Sequence, residues 1–149
     1  MAPRFNPRGP AADPTMTDSV QFLNSPAYTR LGLPFSEIVR AGSTLYLSGQ
    51  IGNRPGALQL AEGGITGQAR QALENVRTSL QAHGYTLAHV VKCTVMLADM
   101  ADWPAFNAVY TEFFSPPYPA RSAFAAAGLA LGGRIEIDVI AQVGQAGQV

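Results

Sequence analysis

Arg121, Glu136 and the dipeptide Ser48-Gly49 are the residues whose types and settings suit chemistry. Arg121 follows Pro119-Ala120 and opens a stretch of small side chains: Ser122, Ala123 and Ala125. A guanidinium in such surroundings has room to hold something bulky or charged, and its planar fork grips a carboxylate through two parallel hydrogen bonds. The competing reading is a structural arginine paired with Glu136 or with an acid across an interface. Glu136 stands at the centre of Arg134-Ile135-Glu136-Ile137-Asp138. A carboxylate is unusual there unless that face of the strand is wet or functional. Ser48-Gly49 marks a turn at a strand end, which could aim backbone N–H groups at an anion or serve only as a strand exit.

Other constellations fail. Cys93 lies inside an alternating apolar pattern and reads as a small core hydrophobe, not a nucleophile. A single cysteine allows neither an intrachain disulfide nor a zinc cluster. The two histidines, His83 and His89, are too few for a histidine metal site; they flank a turn and read as surface residues. There is no nucleophile elbow, P-loop, dinucleotide fingerprint or EF-hand loop. Ten Lys+Arg balance ten Asp+Glu, which excludes a chain-wide basic field for nucleic acid. No apolar run approaches the roughly 20 residues of a membrane span. Arg4 and Arg8 are not followed by the apolar stretch of a secretory signal. The expectation is a soluble cytoplasmic protein.

Around these residues the patterning supplies the scaffold. At 149 residues the chain suits one domain. Residues 1–20, with prolines at 3, 7, 10 and 14, read as a flexible tail, and 21–149 as a single domain. Residues 37–40 and 44–50 form a hairpin around Ala41-Gly42-Ser43. In residues 66–82, Ala69, Ala72, Leu73, Val76 and Leu80 make one helical stripe. Residues 90–100 alternate as a half-buried strand, with Val91, Cys93, Val95 and Leu97 on one face. A second helix is expected over 102–114, capped by Asp102, with Phe106, Val109, Tyr110 and Phe113 as its stripe. Strands follow at 121–125 and 134–143. The order is ββαβαββ, with both helices on one face of the sheet. The other face carries Tyr46, Met96 and Ile140, which sit badly in water. With charged residues at only 13%, other copies of the chain are expected to cover it.

The motifs Leu33-Pro34-Phe35-Ser36, Leu45-Tyr46-Leu47-Ser48-Gly49-Gln50-Ile51-Gly52, Val90-Val91-Lys92-Cys93-Thr94-Val95, Phe106-Asn107-Ala108-Val109-Tyr110, Pro119-Ala120-Arg121-Ser122 and Ile135-Glu136-Ile137-Asp138 resemble those of the Rid/YjgF family. These are the reactive intermediate deaminases, also called endoribonuclease L-PSP proteins. The resemblance covers about residues 24–143. It implies an α+β, chorismate-mutase-like fold: a mixed five- to six-stranded sheet with two helices packed on one face, assembled as a homotrimer with clefts between subunits. It implies hydrolysis of 2-imino and enamine acids, such as 2-aminoacrylate, to 2-oxo acids and ammonia, without cofactor or metal. The partners implied are a small carboxylate-bearing substrate and further copies of the chain, not nucleic acid or membrane.

Position by position, the resemblance assigns Arg121 to the substrate carboxylate and Glu136 to the attacking water. It places Ser48, Gly49 and Asn107 beside the ligand, Asn107 in a structural role. Many family deaminases carry tyrosine where Phe35 stands and cysteine where Ala123 stands. Alanine keeps the backbone carbonyl of that position, and Phe35 could widen or dry the pocket and favour apolar imino acids. The alternative is a non-catalytic, metabolite-binding trimer.

Overall fold

The computed structural model describes residues 20–144. The tail reading, over residues 1–20, lies outside them except for Val20. The chain runs β1 (Gln21–Leu23), α1 (Pro26–Thr29), β2 (Ile38–Ala41), β3 (Thr44–Leu47), β4 (Gln50–Ile51), α2 (Gly64–Ala82), β5 (Val90–Leu97), α3 (Trp103–Phe113), β6 (Ala120–Ala125) and β7 (Ile135–Gln142). The strands form one sheet in the order β1-β2-β3-β7-β5-β6, and β4 also pairs with β7. All pairings are antiparallel except β5–β6, so the sheet is mixed.

Seven strands exceed the five or six expected. The short β1 joins the edge of β2. The single strand expected over 44–50 is two, because the Ser48-Gly49 step interrupts the pairing: Tyr46 faces Ile140, yet Gln50 already faces Ile137. That extra residue is a local bulge that redirects the chain.

Alternation decides the two faces. Ile38, Leu45, Leu47, Cys93, Val95, Leu97, Ile135, Ile137, Val139 and Ala141 are buried beneath the helices. From α2, Ala69, Ala72, Leu73, Val76 and Leu80 enter the same core, all wholly buried. From α3 come Phe106, Val109 and Tyr110, followed by Phe114, not the Phe113 of the expected stripe. Phe113 instead receives the Arg77 guanidinium 5.0 Å from its ring centre. In β5 a register shift between Val90 and Lys92 buries Val90 and leaves Val91 exposed, correcting the expected alternation. Asp102 precedes α3 as expected but does not cap it with its side chain. Its carboxylate accepts from Arg134 Nη2 at 2.9 Å and Nε at 3.2 Å.

Among the described residues nothing covers the opposite face. Phe22, Tyr46 and Phe124 are 68%, 48% and 48% exposed there. Register places Phe22, Val39, Tyr46 and Ile140 in one cross-strand row, and Glu136, Met96 and Phe124 in another. Aromatic and aliphatic side chains arrayed on a flat sheet form a contiguous apolar patch. Gly52 lets the exit of β4 slip under α2: a Cβ there would lie 2.6 Å from Gln68 Cα. Among the described residues no helix is long and apolar enough to cross a membrane.

Candidate active site

Arg121 stands opposite Cys93 in the β5–β6 register, so it points to the helix side. There α3 encloses it. The guanidinium carbon lies 4.7 Å from the Tyr110 ring centre, 5.5 Å from Trp103 and 5.6 Å from Phe106. Nη2 donates to Asn107 Oδ1 at 2.7 Å. Positions 103, 106, 107 and 110 are successive turns of one helix face, so a single element sets the whole cage. Electron-rich ring faces stabilise the cation, and the amide fixes the rotation of its fork.

The structural pairing with Glu136 is absent. The ion pairs among the described residues are Arg54–Glu62, Arg70–Glu112, Arg77–Glu74, His83–Glu37 and Arg134–Asp102, and Arg121 is in none of them. Ala123 follows on the same face of β6, half-buried against the core. Cys93, next to Arg121, donates no reactive thiolate: burial pushes its thiol up to about 11.

Glu136 lies on the other side of the sheet, opposite Met96 and Ile51. Along β5 it is three residues from the level of Arg121, about 10 Å at strand rise, with the sheet between them. One chain therefore does not bring the two together. Burial raises the Glu136 carboxyl above its ordinary value, and the like charge of Asp138 raises it further. Nearby Asp138 is also raised by burial, against the lowering effects of a Thr94 hydrogen bond and Lys92.

Gly49 packs directly on this carboxylate: a Cβ at position 49 would stand 3.0 Å from Glu136 Cδ and in collision with Oε1. Ser48 Oγ donates to the Ser36 carbonyl at 2.6 Å, and Ser48 N–H donates to the Glu37 carbonyl at 3.1 Å. Its amide is thus engaged, which leaves Gly49 alone of the pair to offer an N–H to an anion. The same bonds fix the segment that carries Phe35, a half-exposed ring 6.4 Å from Tyr28 in an edge-on arrangement.

Phe35, Gly49 and Glu136 line a cavity of about 570 Å³. Leucines 31, 33, 58 and 131 supply much of its wall. Asn75 steadies the β4 side by donating to the Ile51 and Asn53 carbonyls at 3.1 and 3.0 Å.

Glu37 also lines the cavity and was not singled out in the sequence. Only 4% exposed, it accepts from Ser25 N at 3.0 Å and Ser79 Oγ at 2.9 Å, and meets His83 Nε2 at 2.9 Å. His83 is therefore not the free surface residue expected. The partners are 12 to 46 residues apart in the chain, so no local pattern announces them. The aromatic cage of Arg121 did leave a signal, the 103/106/110 spacing, which reads equally as helix entry and core. Among the described residues no group of three or more His, Cys, Asp or Glu side chains could hold a metal ion.

Comparison with known proteins adds to this geometry. The family model described as Endoribonuclease L-PSP matches residues 29–143. A 2-iminobutanoate/2-iminopropanoate deaminase from Capra hircus is 45% identical over 111 residues, 74% of this chain and 81% of that protein. The protein of the same name from Homo sapiens is 44% identical over 108 residues, 72% of this chain and 79% of that one. The crystal structure of RidA from an Antarctic Psychrobacter superposes with a TM-score of 0.71 at 40% identity, covering 74% of this chain and 89% of that one. A matched family over most of the chain, with its fold reproduced, makes this protein a member of the Rid/YjgF family of L-PSP proteins.

Proposed function

We propose that the protein hydrolyses 2-imino acids to 2-oxo acids and ammonia at clefts between copies in a homotrimer. One copy contributes Arg121, Asn107 and Ala123; its neighbour contributes Phe35, Ser48, Gly49 and Glu136. The observation that carries this reading is the placement of Arg121: caged and oriented by α3, without an acid of its own, and separated from Glu136 by the sheet. Each half is incomplete alone. The bare aromatic face offers the surface on which copies could meet. The names of relatives at 44–45% identity supply the reaction class.

The chemistry follows from these groups. The Arg121 fork holds the substrate carboxylate, and its rigid cage removes the cost of orienting it. Glu136, its basicity raised by burial, takes a proton from water as the oxygen bonds to the imine carbon. The electron pair of the C=N bond moves to nitrogen, which is protonated. The resulting carbinolamine breaks its C–N bond, leaving the 2-oxo acid and ammonia. No electron leaves or enters the system. Imines hydrolyse in water, so orientation plus one proton-transfer group meets the demand.

The test generates 2-aminoacrylate in situ with a dehydratase and follows its disappearance. The wild type accelerates the loss. Arg121→Ala, deprived of two charge-assisted hydrogen bonds, loses on the order of 10²-fold or more in kcat/KM. A wild type no faster than buffer refutes the deaminase. Phe35, which brings no hydroxyl to the cavity, favours a second reading, metabolite binding without turnover. Calorimetry with 2-oxo acids, run beside the assay, separates the two.

A further inference from the structure

We infer that Glu37 is a positioning residue: it latches the long loop between β1 and β2, residues 24–36, onto the end of α2 and thereby holds Phe35 at the cleft. The second half of this inference rests on the deaminase reading above; the latch does not.

The loop has little else to hold it. Leu23 pairs with Ile38, so residues 24–37 are the connection of an antiparallel hairpin. Hairpin connections usually take about two to five residues, and one this long needs a tie of its own. An apolar anchor is missing: no residue from 24 to 36 is buried, and none packs on the core cluster. The backbone of the tip bonds within the loop, where Thr29 N–H donates to the Ser25 carbonyl, Arg30 to Pro26, Leu31 to Tyr28 and Gly32 to Thr29. Tyr28 and Phe35 meet edge-on inside the same loop. This is the build of an Ω-loop, with its ends together and its side chains packed on one another. Such a segment opens more easily than the body it sits on.

Glu37 draws the ends together. Its N–H donates to Asn24 Oδ1 at 2.8 Å, and its carboxylate accepts from Ser25 N–H at 3.0 Å and from Ser25 Oγ at 3.3 Å. The same two oxygens meet His83 Nε2 at 2.9 Å and Ser79 Oγ at 2.9 Å, which moors the neck of the loop to α2. Each oxygen thus has two partners, the full capacity of a carboxylate. A buried carboxylate is a poor source of net stability, because apolar packing of equal volume serves as well or better. What four converging partners do supply is direction, and the segment they orient carries Phe35.

The experiment uses the whole protein with either of two substitutions. Glu37→Gln keeps the volume but puts an NH2 where two donors already point; Ser79→Ala removes one donor and leaves the carboxylate. Amide hydrogen exchange is read by NMR. The amides of Thr29, Arg30, Leu31 and Gly32 are expected to exchange at least about tenfold faster in Glu37→Gln and about threefold faster in Ser79→Ala, through an opening that leaves the α2 amides protected. Trypsin, which finds the exposed Arg30, nicks the loop faster by the same factors. For an imine generated in situ, KM rises about tenfold in Glu37→Gln with kcat retained, since Arg121 and Glu136 are untouched; a loss of folded protein would lower kcat and leave KM alone. Loop amides that keep wild-type rates in both variants, or that exchange only in step with those of α2, overturn the latch. A loosened loop with KM unmoved overturns the role of Glu37 in holding Phe35 and leaves the deaminase standing. A loosened loop in a protein whose wild type consumes imine no faster than buffer sustains the latch and refutes the deaminase.

Discussion

Gly49→Ala tests how closely Glu136, the proposed base, must be placed. The new Cβ would lie 3.0 Å from Glu136 Cδ, 3.3 Å from its Cγ, and inside contact with Oε1. Ordinary carbon contacts begin near 3.5 Å, so the carboxylate oxygen must retreat by about an ångström. The φ of Gly49 lies outside the left-handed region, so alanine meets no backbone strain. The carboxylate is the far end of a flexible side chain, and a rotamer adjustment of about 0.5–1.5 kcal/mol absorbs the clash. Stability therefore changes little. Placement does not survive: a displacement of about 1 Å at a reacting group costs on the order of 10²-fold in rate. The assay is turnover of an imine generated in situ, with the thermal midpoint measured on the same preparation. A Gly49→Ala protein that folds normally and keeps full kcat would refute the role given to Glu136.

Asp138→Asn removes the smaller of the two influences that raise Glu136; the proton-free base then persists to lower pH, and the acidic limb of the kcat/KM profile moves down, part of the way because burial remains. Phe124→Asp places a charge on the bare face; sedimentation should show loss of the assembled form, with activity lost alongside. Glu37→Ala strips a buried network of its acceptor and is expected to cost about 3 kcal/mol in urea unfolding. Cys93, buried and with its thiol held near 11, should resist iodoacetamide at pH 8 in the native protein and react once unfolded.

The helices and long strands were legible because burial imposes a period on the sequence. The stripe of Ala69, Ala72, Leu73, Val76 and Leu80 and the alternation of Ile135, Ile137, Val139 and Ala141 are direct consequences of facing one core. What escaped was set by contacts distant in sequence or by single-residue irregularities. The Val90–Lys92 shift moves one side chain across the sheet without changing the composition of the segment. Residues 44–50 read as one strand because the interruption at Ser48-Gly49 is defined by its partner β7, not by its own residues. Asp102 looked like a cap by type and position, and Arg134, 32 residues later, claims it. Arg121 and Glu136 could be singled out as chemically apt, but the parity that puts them on opposite faces needs the register of β5 against both neighbours.

That parity reaches beyond geometry. On the proposed function, a polypeptide whose anion clasp and whose base look away from each other would be inert in isolation, however well it is folded. Its reactivity would then be a collective property that appears only when chain concentration exceeds the dissociation constant of the assembly. Freshly synthesised molecules would stay silent until they meet their own kind, and dilution alone would be enough to switch the chemistry off.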